Sequence, residues 1–328
     1  MAVTRKKPNN DLPLLPPDVN VETPEILKQS ALASRYLGEL NGLCATLTNP
    51  ALLINTIALQ ESKNSSEIEN IVTTQDELYQ ATMESENATT AAKEVLNYCA
   101  ALYRGLEVMT ERKNILSVNA MIEIVQVIKQ NKAGIRTTPG TALKNAITGE
   151  IIYMPPEGKE VIEEKLANLE RFINDDELST LDPLLKMAII HYQFEAIHPF
   201  TDGNGRTGRI LNGLYLVQKG LLPQPILYLS SYIVKNKTLY YQLLRGVTEE
   251  NNWHDWIMYN LTAIIETSQV TTEKIRQILK LKDTLESELK QVLGASFKPI
   301  VLRTIPVVLD LVPALRCIDR LLFQNRLL

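Results

Sequence analysis

The chain has 328 residues, 45% of them hydrophobic and 22% charged, ordinary values for a globular protein able to bury a core. A formal net charge of −4 gives no overall field that would draw nucleic acid or an anionic membrane, and no segment approaches the ~18 uninterrupted apolar residues of a membrane span. Arg5, Lys6 and Lys7 are followed by polar residues and prolines where an export signal needs an apolar core, so a cytoplasmic protein is expected, with Cys44, Cys99 and Cys317 as isolated reduced thiols.

Pro8, Pro13, Pro16, Pro17 and Pro24 predict an extended strap over residues 1–24. Ile26, Leu32, Tyr36, Leu40 and Leu43 recur at helical spacing, which predicts a helix from Glu25 to Thr46 stopped by Asn49-Pro50, with a second from Ala51 to Glu61. Ser65 then reads as the cap of a short helix that carries Glu67 and Glu69 in its first turn. Two longer helices are expected over Thr74 to Tyr103 and Thr110 to Lys129, the second closed by Gly134 as C-cap. Between residues 135 and 156 the character changes: Pro139-Gly140 and Thr148-Gly149 signal turns, and Glu150 to Met154 favours a strand, so a two-stranded hairpin is the natural reading.

An amphipathic helix follows over Glu157 to Asn174, and Asp182-Pro183 starts another in the N-cap then N1 arrangement. That helix runs directly into His198-Pro199-Phe200-Thr201-Asp202-Gly203-Asn204-Gly205-Arg206-Thr207-Gly208-Arg209. Glycines and an asparagine in front of the helical spacing of Ile210, Leu211, Leu214 and Tyr215 place a tight turn at a helix N-terminus, where free N–H groups and the helix dipole bind anions. Arg206 and Arg209, three apart, face the same ligand and suit a polyphosphate better than a single carboxylate. Asp202 is a hard oxygen donor able to hold magnesium bridging two phosphates. His198 is the titratable base of the stretch, fitted to take a proton from a hydroxyl, and Phe200 anchors the loop in the core. Helices from Arg209 to Lys219 and Trp253 to Thr267 complete this part, and Glu273 to Leu293 is charged and periodic, a linker helix. After Gly294, 34 residues remain, of which Ile300 to Leu315 is apolar but broken by Pro306 and Pro313.

The twelve-residue string resembles the HxFx(D/E)GNGRxxR signature of Fic-domain proteins at every defined position. The resemblance implies an all-α Fic fold with one small β-hairpin flap, and an enzyme that transfers AMP from Mg-ATP to a Ser, Thr or Tyr hydroxyl of a target protein. Carried over residue by residue, it implies His198 as base and Asp202 as magnesium ligand. Gly203, Asn204 and Gly205 would form the anion hole, within a nucleotide-binding stretch that includes Thr207 and Gly208. Arg206 would bind the β- and γ-phosphates and Arg209 the γ-phosphate. Tyr240 matches an adenosine contact, and Ile152 and Tyr153 match the flap that docks the target. Ser65-x-x-x-Glu69-Asn70 resembles the family's (S/T)xxxE(G/N) inhibitory motif, so Glu69 is expected to pair with Arg209 and misplace the γ-phosphate. The domains expected on this basis are 1–95 with an inhibitory helix at about 64–72, a catalytic core over 96–267, and a linker helix with an atypical tail over 268–328. Relatives that move UMP or phosphocholine, that remove AMP, or that act as nucleotide-binding toxin–antitoxin modules define the alternatives. The layout leaves room for a homodimer, while the acidic balance and the short tail oppose nucleic-acid binding.

Overall fold

A computed structural model describes residues 7–46, 50–83, 88–144, 148–227 and 229–293. Among them the fold is all-α: eleven helices and one two-stranded antiparallel hairpin. None of these helices is long and apolar enough to cross a membrane. The tail over 294–328, with Cys317, lies outside the described residues.

The proline-rich segment is an extended strap. Leu12, Leu15 and Val21 are buried, and its backbone is held by side chains from below: Asn168 bonds both the N–H and the carbonyl of Leu15, Lys165 reaches Leu12 O at 2.7 Å, and Gln193 reaches Pro13 O at 2.8 Å. Such bonds replace the ladder that prolines forbid. Helix α1 (Pro24–Ala45) starts at the Thr23 cap and packs along the last helix.

Helix α2 (Pro50–Ile68) corrects the expected short helix capped by Ser65: that residue lies in the last turn of one long helix. Nothing between Glu61 and Ser65 breaks the chain, and Ser62 Oγ satisfies itself on Ala58 O at 2.7 Å without leaving the helix. The stop comes at Asn70, whose φ of 62° is left-handed. Ile71 N–H bonds Ser66 O and Asn70 N–H bonds Glu67 O, a Schellman closure with Glu69 as the C-cap. Helices α3 (Gln75–Met83), α4 (Thr90–Glu111) and α5 (Val118–Lys129) replace the two expected over this stretch. Thr89 and Ser117 are N-caps, and Lys113 and Asn114 turn left-handed between α4 and α5. Helix α5 ends on Gln130 at φ 50°, so Gly134 is not its cap.

Strands β1 (Leu143–Lys144) and β2 (Ile151–Tyr153) form the hairpin. Helix α6 (Lys159–Asn174) follows, then α7 (Pro183–Ile197), buried on all sides from Leu184 to Phe194 as the central helix of the fold. Its N-cap is as expected, with Asp182 accepting from Leu184 N–H at 2.8 Å. Helix α8 (Asn204–Gln218) begins a turn and a half before the expected Arg209, inside the glycine-rich stretch. Helices α9 (Leu229–Lys235) and α10 (Lys237–Glu250) lead to α11 (Trp253–Leu293), 41 residues without interruption where two helices were expected, because no glycine or proline stands between Thr267 and Glu273. Around α7 pack α6, α8 and α11, while α2 packs on α4 and α9.

Candidate functional site

The site lies where α7 hands over to α8. His198 ends α7 in the left-handed region, φ 50°, with its N–H on Phe194 O, and Gly203 at φ 84° opens α8, so the six residues from 198 to 203 make a sharp reversal. Two devices make it rigid. From inside, Asn204 brackets Phe200, accepting from its N–H and donating to its carbonyl, both at 2.8 Å. The Phe200 ring is buried against Phe194, burial worth about 1.5–3 kcal/mol. From outside, the buried Arg136 donates to the carbonyls of Pro156, Ile197 (3.3 Å) and His198 (2.7 Å), and its own N–H bonds Pro199 O.

His198 is thereby carried on a fixed backbone. Burial, and after it the Arg136 guanidinium, push its pKa down to about 4, so at neutral pH the imidazole is uncharged and able to accept a proton.

Beside it stands the N-terminus of α8, with no side chain capping it. Both arginines are buried there, at 2% and 4% exposure. Arg206 Nη1 donates to Glu94 of α4 at 2.7 Å, while its Nε is buried with no partner. Thr207 Oγ1 is likewise buried without a partner. Arg209 is bound on three sides: Nε to Ser65 Oγ at 2.8 Å, and Nη2 to Ser65 O at 3.0 Å and Glu69 Oε1 at 2.8 Å. The guanidinium thus closes the negative end of α2. For Glu69, burial would raise the carboxyl pKa, but Arg209 overrides it and holds it below the usual range. A Cβ on Gly205 would meet Glu69 Oε1 at 2.3 Å, so that carboxylate rests over the bare N-terminal turn of α8, in an anion's place. Asn70 adds a hydrogen bond from Lys237 Nζ at 3.0 Å.

Asp202 lies exposed at the rim. Its Oδ1 accepts from Gly203 N–H at 2.6 Å and stands 3.9 Å from Arg206 Nη2, and its Oδ2 is held by Lys129 of α5. Burial would raise this carboxyl, but the Lys129 ammonium keeps it below the usual range.

The structure therefore gathers His198, Asp202, Gly203, Asn204, Gly205, Arg206, Thr207, Gly208, Arg209, Ser65, Glu69 and Asn70 at one locus. Gly208 allows α7 and α8 to approach: a Cβ there would stand 2.8 Å from Glu195 Oε1 and 3.1 Å from the Phe194 ring. Tyr240 is set in an aromatic cluster with Trp256 and Tyr259, its hydroxyl 2.8 Å from His191 Nε2, while its neighbour Tyr241 is exposed. In the hairpin, Ile152 is exposed and Tyr153 is tied back, donating to Ala196 O at 2.8 Å and accepting from Asn9.

Several residues of this locus carry no signal in the sequence. Glu94, Lys129 and Arg136 look like ordinary charges. Glu61, buried in α2, accepts from Ser230 N–H and Oγ, and burial pushes its carboxyl up to about 7. Glu195, on α7 near Arg209, is pushed up to about 7 by burial as well, and its Oε1 has no hydrogen-bond partner.

Residues 27–107 match the family model described as Fic/DOC family N-terminal, and residues 115–216 match the Fic/DOC family model. A protein adenylyltransferase fic-1 from Caenorhabditis briggsae is 32% identical over 136 residues, 40% of this chain and 25% of that relative. A protein adenylyltransferase Fic from Drosophila erecta is 43% identical over 58 residues, 18% of this chain and 12% of the relative. The matched part is thus a quarter or less of these curated relatives. Among solved structures, a Fic family protein from Desulfovibrio desulfuricans superposes with a TM-score of 0.65 at 20% identity, covering 87% of this chain and 88% of that one. A fragment of Fic-1 from Caenorhabditis elegans gives 0.59 at 21% identity, covering 79% and 75%.

Proposed function

Since the chain belongs to the Fic/DOC family, we propose that it is a protein adenylyltransferase that moves AMP from ATP to a hydroxyl side chain of a target protein and is held inactive by Glu69. The observation that carries this reading is the uncharged His198 imidazole fixed beside an uncapped helix N-terminus with two buried arginines. A target hydroxyl placed at His198 gives its proton to the ring as its oxygen attacks the α-phosphate. The new O–P bond forms as the bond to the β-phosphate breaks, and pyrophosphate leaves. Negative charge gathering on the phosphates meets the N–H groups that open α8, a preorganised electrostatic contribution.

The residues fit a polyphosphate. Arg206 keeps a buried donor without an acceptor, and the turn at Gly205 already carries an anionic group, the Glu69 carboxylate, at the place a phosphate would take. They also fit a divalent ion of which Asp202 is one ligand: Oδ2 already carries a cation, and among the described residues no three His, Cys, Asp or Glu side chains converge as a self-sufficient metal site. Magnesium held there, with phosphate oxygens and water as its remaining ligands, would supply charge neutralisation of the leaving group. In the resting state Glu69 occupies Arg209, the partner of the γ-phosphate in this reading, so ATP sits with its α-phosphate out of line. The target docks along the hairpin, where Ile152 is exposed.

The test is label transfer to protein from α-labelled against γ-labelled ATP, with His198→Ala alongside. Transfer of α-label alone, lost at least 10³-fold in His198→Ala with ATP binding retained, is the expected result. Transfer of γ-label alone would make the protein a kinase; persistence of α-label on the variant would remove His198 as base. UTP or a phosphocholine donor supporting transfer where ATP does not would move the reading to those branches.

A further inference from the structure

The carboxylate read above as a metal ligand is not free. Asp202 uses its two oxygens differently: Oδ1 is committed to the loop, by the Gly203 N–H at 2.6 Å and by Arg206 at 3.9 Å, which leaves Oδ2 as the oxygen that faces a cation. Lys129 Nζ occupies it. The lysine is also held by its stem, since Lys129 Cγ and Cδ lie 3.7 Å from where a Cβ on Gly203 would stand, so its side chain lies along the turn that opens α8. It sits in the last turn of α5, where a positive charge is favoured by the helix dipole. Asp202 itself is 60% exposed on its side chain, so an ion can approach from solvent while Lys129, at 23%, covers the inner side.

We propose that Lys129 is a resident counter-ion of Asp202 which a divalent metal has to displace, so that this one lysine sets how much metal the nucleotide site demands. The inference rests on the nucleotidyltransferase reading of the site. It makes a second block, independent of Glu69: one acts on the arginine that receives phosphate, the other on the carboxylate that receives metal. When metal takes Oδ2 the ammonium swings off, and the exchange breaks one weak, largely exposed ion pair to form one coordination bond. The repulsion between Lys129 and the incoming ion adds to that opposition, and exposed pairs of this kind alter affinity by up to about tenfold.

The experiment titrates Mn²⁺ into the full chain saturated with ADP and reads free Mn²⁺ by electron paramagnetic resonance, so no turnover is involved. ADP lacks the γ-phosphate and does not contend with Glu69 for Arg209. Lys129→Met should bind Mn²⁺ about threefold to tenfold more tightly than wild type. Lys129→Arg, which retains the charge, should not tighten it, and Asp202→Asn should lose most of the affinity. Unchanged or weaker binding in a folded Lys129→Met protein overturns the proposal while leaving Asp202 as a ligand. Asp202→Asn binding Mn²⁺ like wild type, or a wild-type chain that takes up no ADP, overturns the metal and nucleotide reading itself, and the role of Lys129 falls with it.

Discussion

Two carboxylates hold the two arginines of the signature at almost equal distance, Glu69 to Arg209 at 2.8 Å and Glu94 to Arg206 at 2.7 Å, yet the two seats differ in kind. Arg209 gives three hydrogen bonds to the end of α2 and is closed off on that side. Arg206 gives one to Glu94 and keeps a buried Nε with no acceptor. Ion-pair distance alone would rank them together. Counting donors left over separates a locked arginine from one still waiting for a ligand, and on the proposed function only the first is a brake.

The largest effect should come from unlocking Arg209. Truncating one partner of a buried, hydrogen-bonded charge pair is worth roughly 2–5 kcal/mol, and about 1.4 kcal/mol is tenfold. Arg209 is buried but the Glu69 side chain is 36% exposed, which favours the lower part of that range, so Glu69→Gly should raise AMP transfer to self or target on the order of 10², read by intact mass after incubation with Mg-ATP. Glu67→Gly, two positions earlier on another face of α2, should leave it within about twofold. By contrast Glu94→Gln should change the rate less than about fivefold while lowering stability by about 1–2 kcal/mol in chemical denaturation, because Arg206 loses its hydrogen-bonded carboxylate and keeps only the more distant Asp202. Equal activation by the Glu94 and Glu69 variants would erase the distinction between the two seats.

A smaller effect tests how Glu69 is aimed. Asn70 stands at φ 62°, a conformation that costs a β-branched residue about 1–2 kcal/mol, so Asn70→Val should loosen the turn and raise basal transfer several-fold, whereas Asn70→Gly should keep it silent. The smallest change is expected from pH. The Glu69 carboxyl is held below its ordinary 4.5, so the stabilisation from its pairing is full above that value and is lost only as pH falls through the lower folded one. His198, pushed down to about 4, is protonated in the same acid range. Acid therefore removes the base where it would lift the block: wild type should show no activation between pH 5 and 8, and kcat/KM of Glu69→Gly should be flat there and fall with a midpoint at about 4. A midpoint at 6.5 would place His198 in water.

Much of the site was legible because its chemistry is contiguous. His198, Asp202 and both arginines fall within twelve residues, and a stretch that short brings them together whatever else holds it. The Ser65 and Glu69 contact with Arg209 spans about 140 positions and was reachable only through resemblance, since the segment on its own reads as a capped surface helix. Glu94, Lys129 and Arg136 were not reachable. Each is a lone charge 62 to 112 residues from its partner, and periodicity assigns such residues to a solvated face. Helix ends failed for a related reason. Gln130 adopts the left-handed cap that Gly134 was expected to supply, Asn70 ends α2 in the same conformation with no glycine to signal it, and where no breaker stands, as in α2 and α11, helices run on through polar stretches.

Helix α2 has one more property of consequence. Its last turn holds Arg209 and buries Ile68, and the turns before it bury Ile57, Ala58 and Leu59 and carry Glu61 to Ser230 of α9. Heat, a protease cut or a disruptive mutation that tore this helix away would open the core along with the lock. On the proposed function, damage of that kind leaves the chain inert and does not unleash it, and release comes from something that moves the single turn at Glu69 and leaves the helix behind it standing.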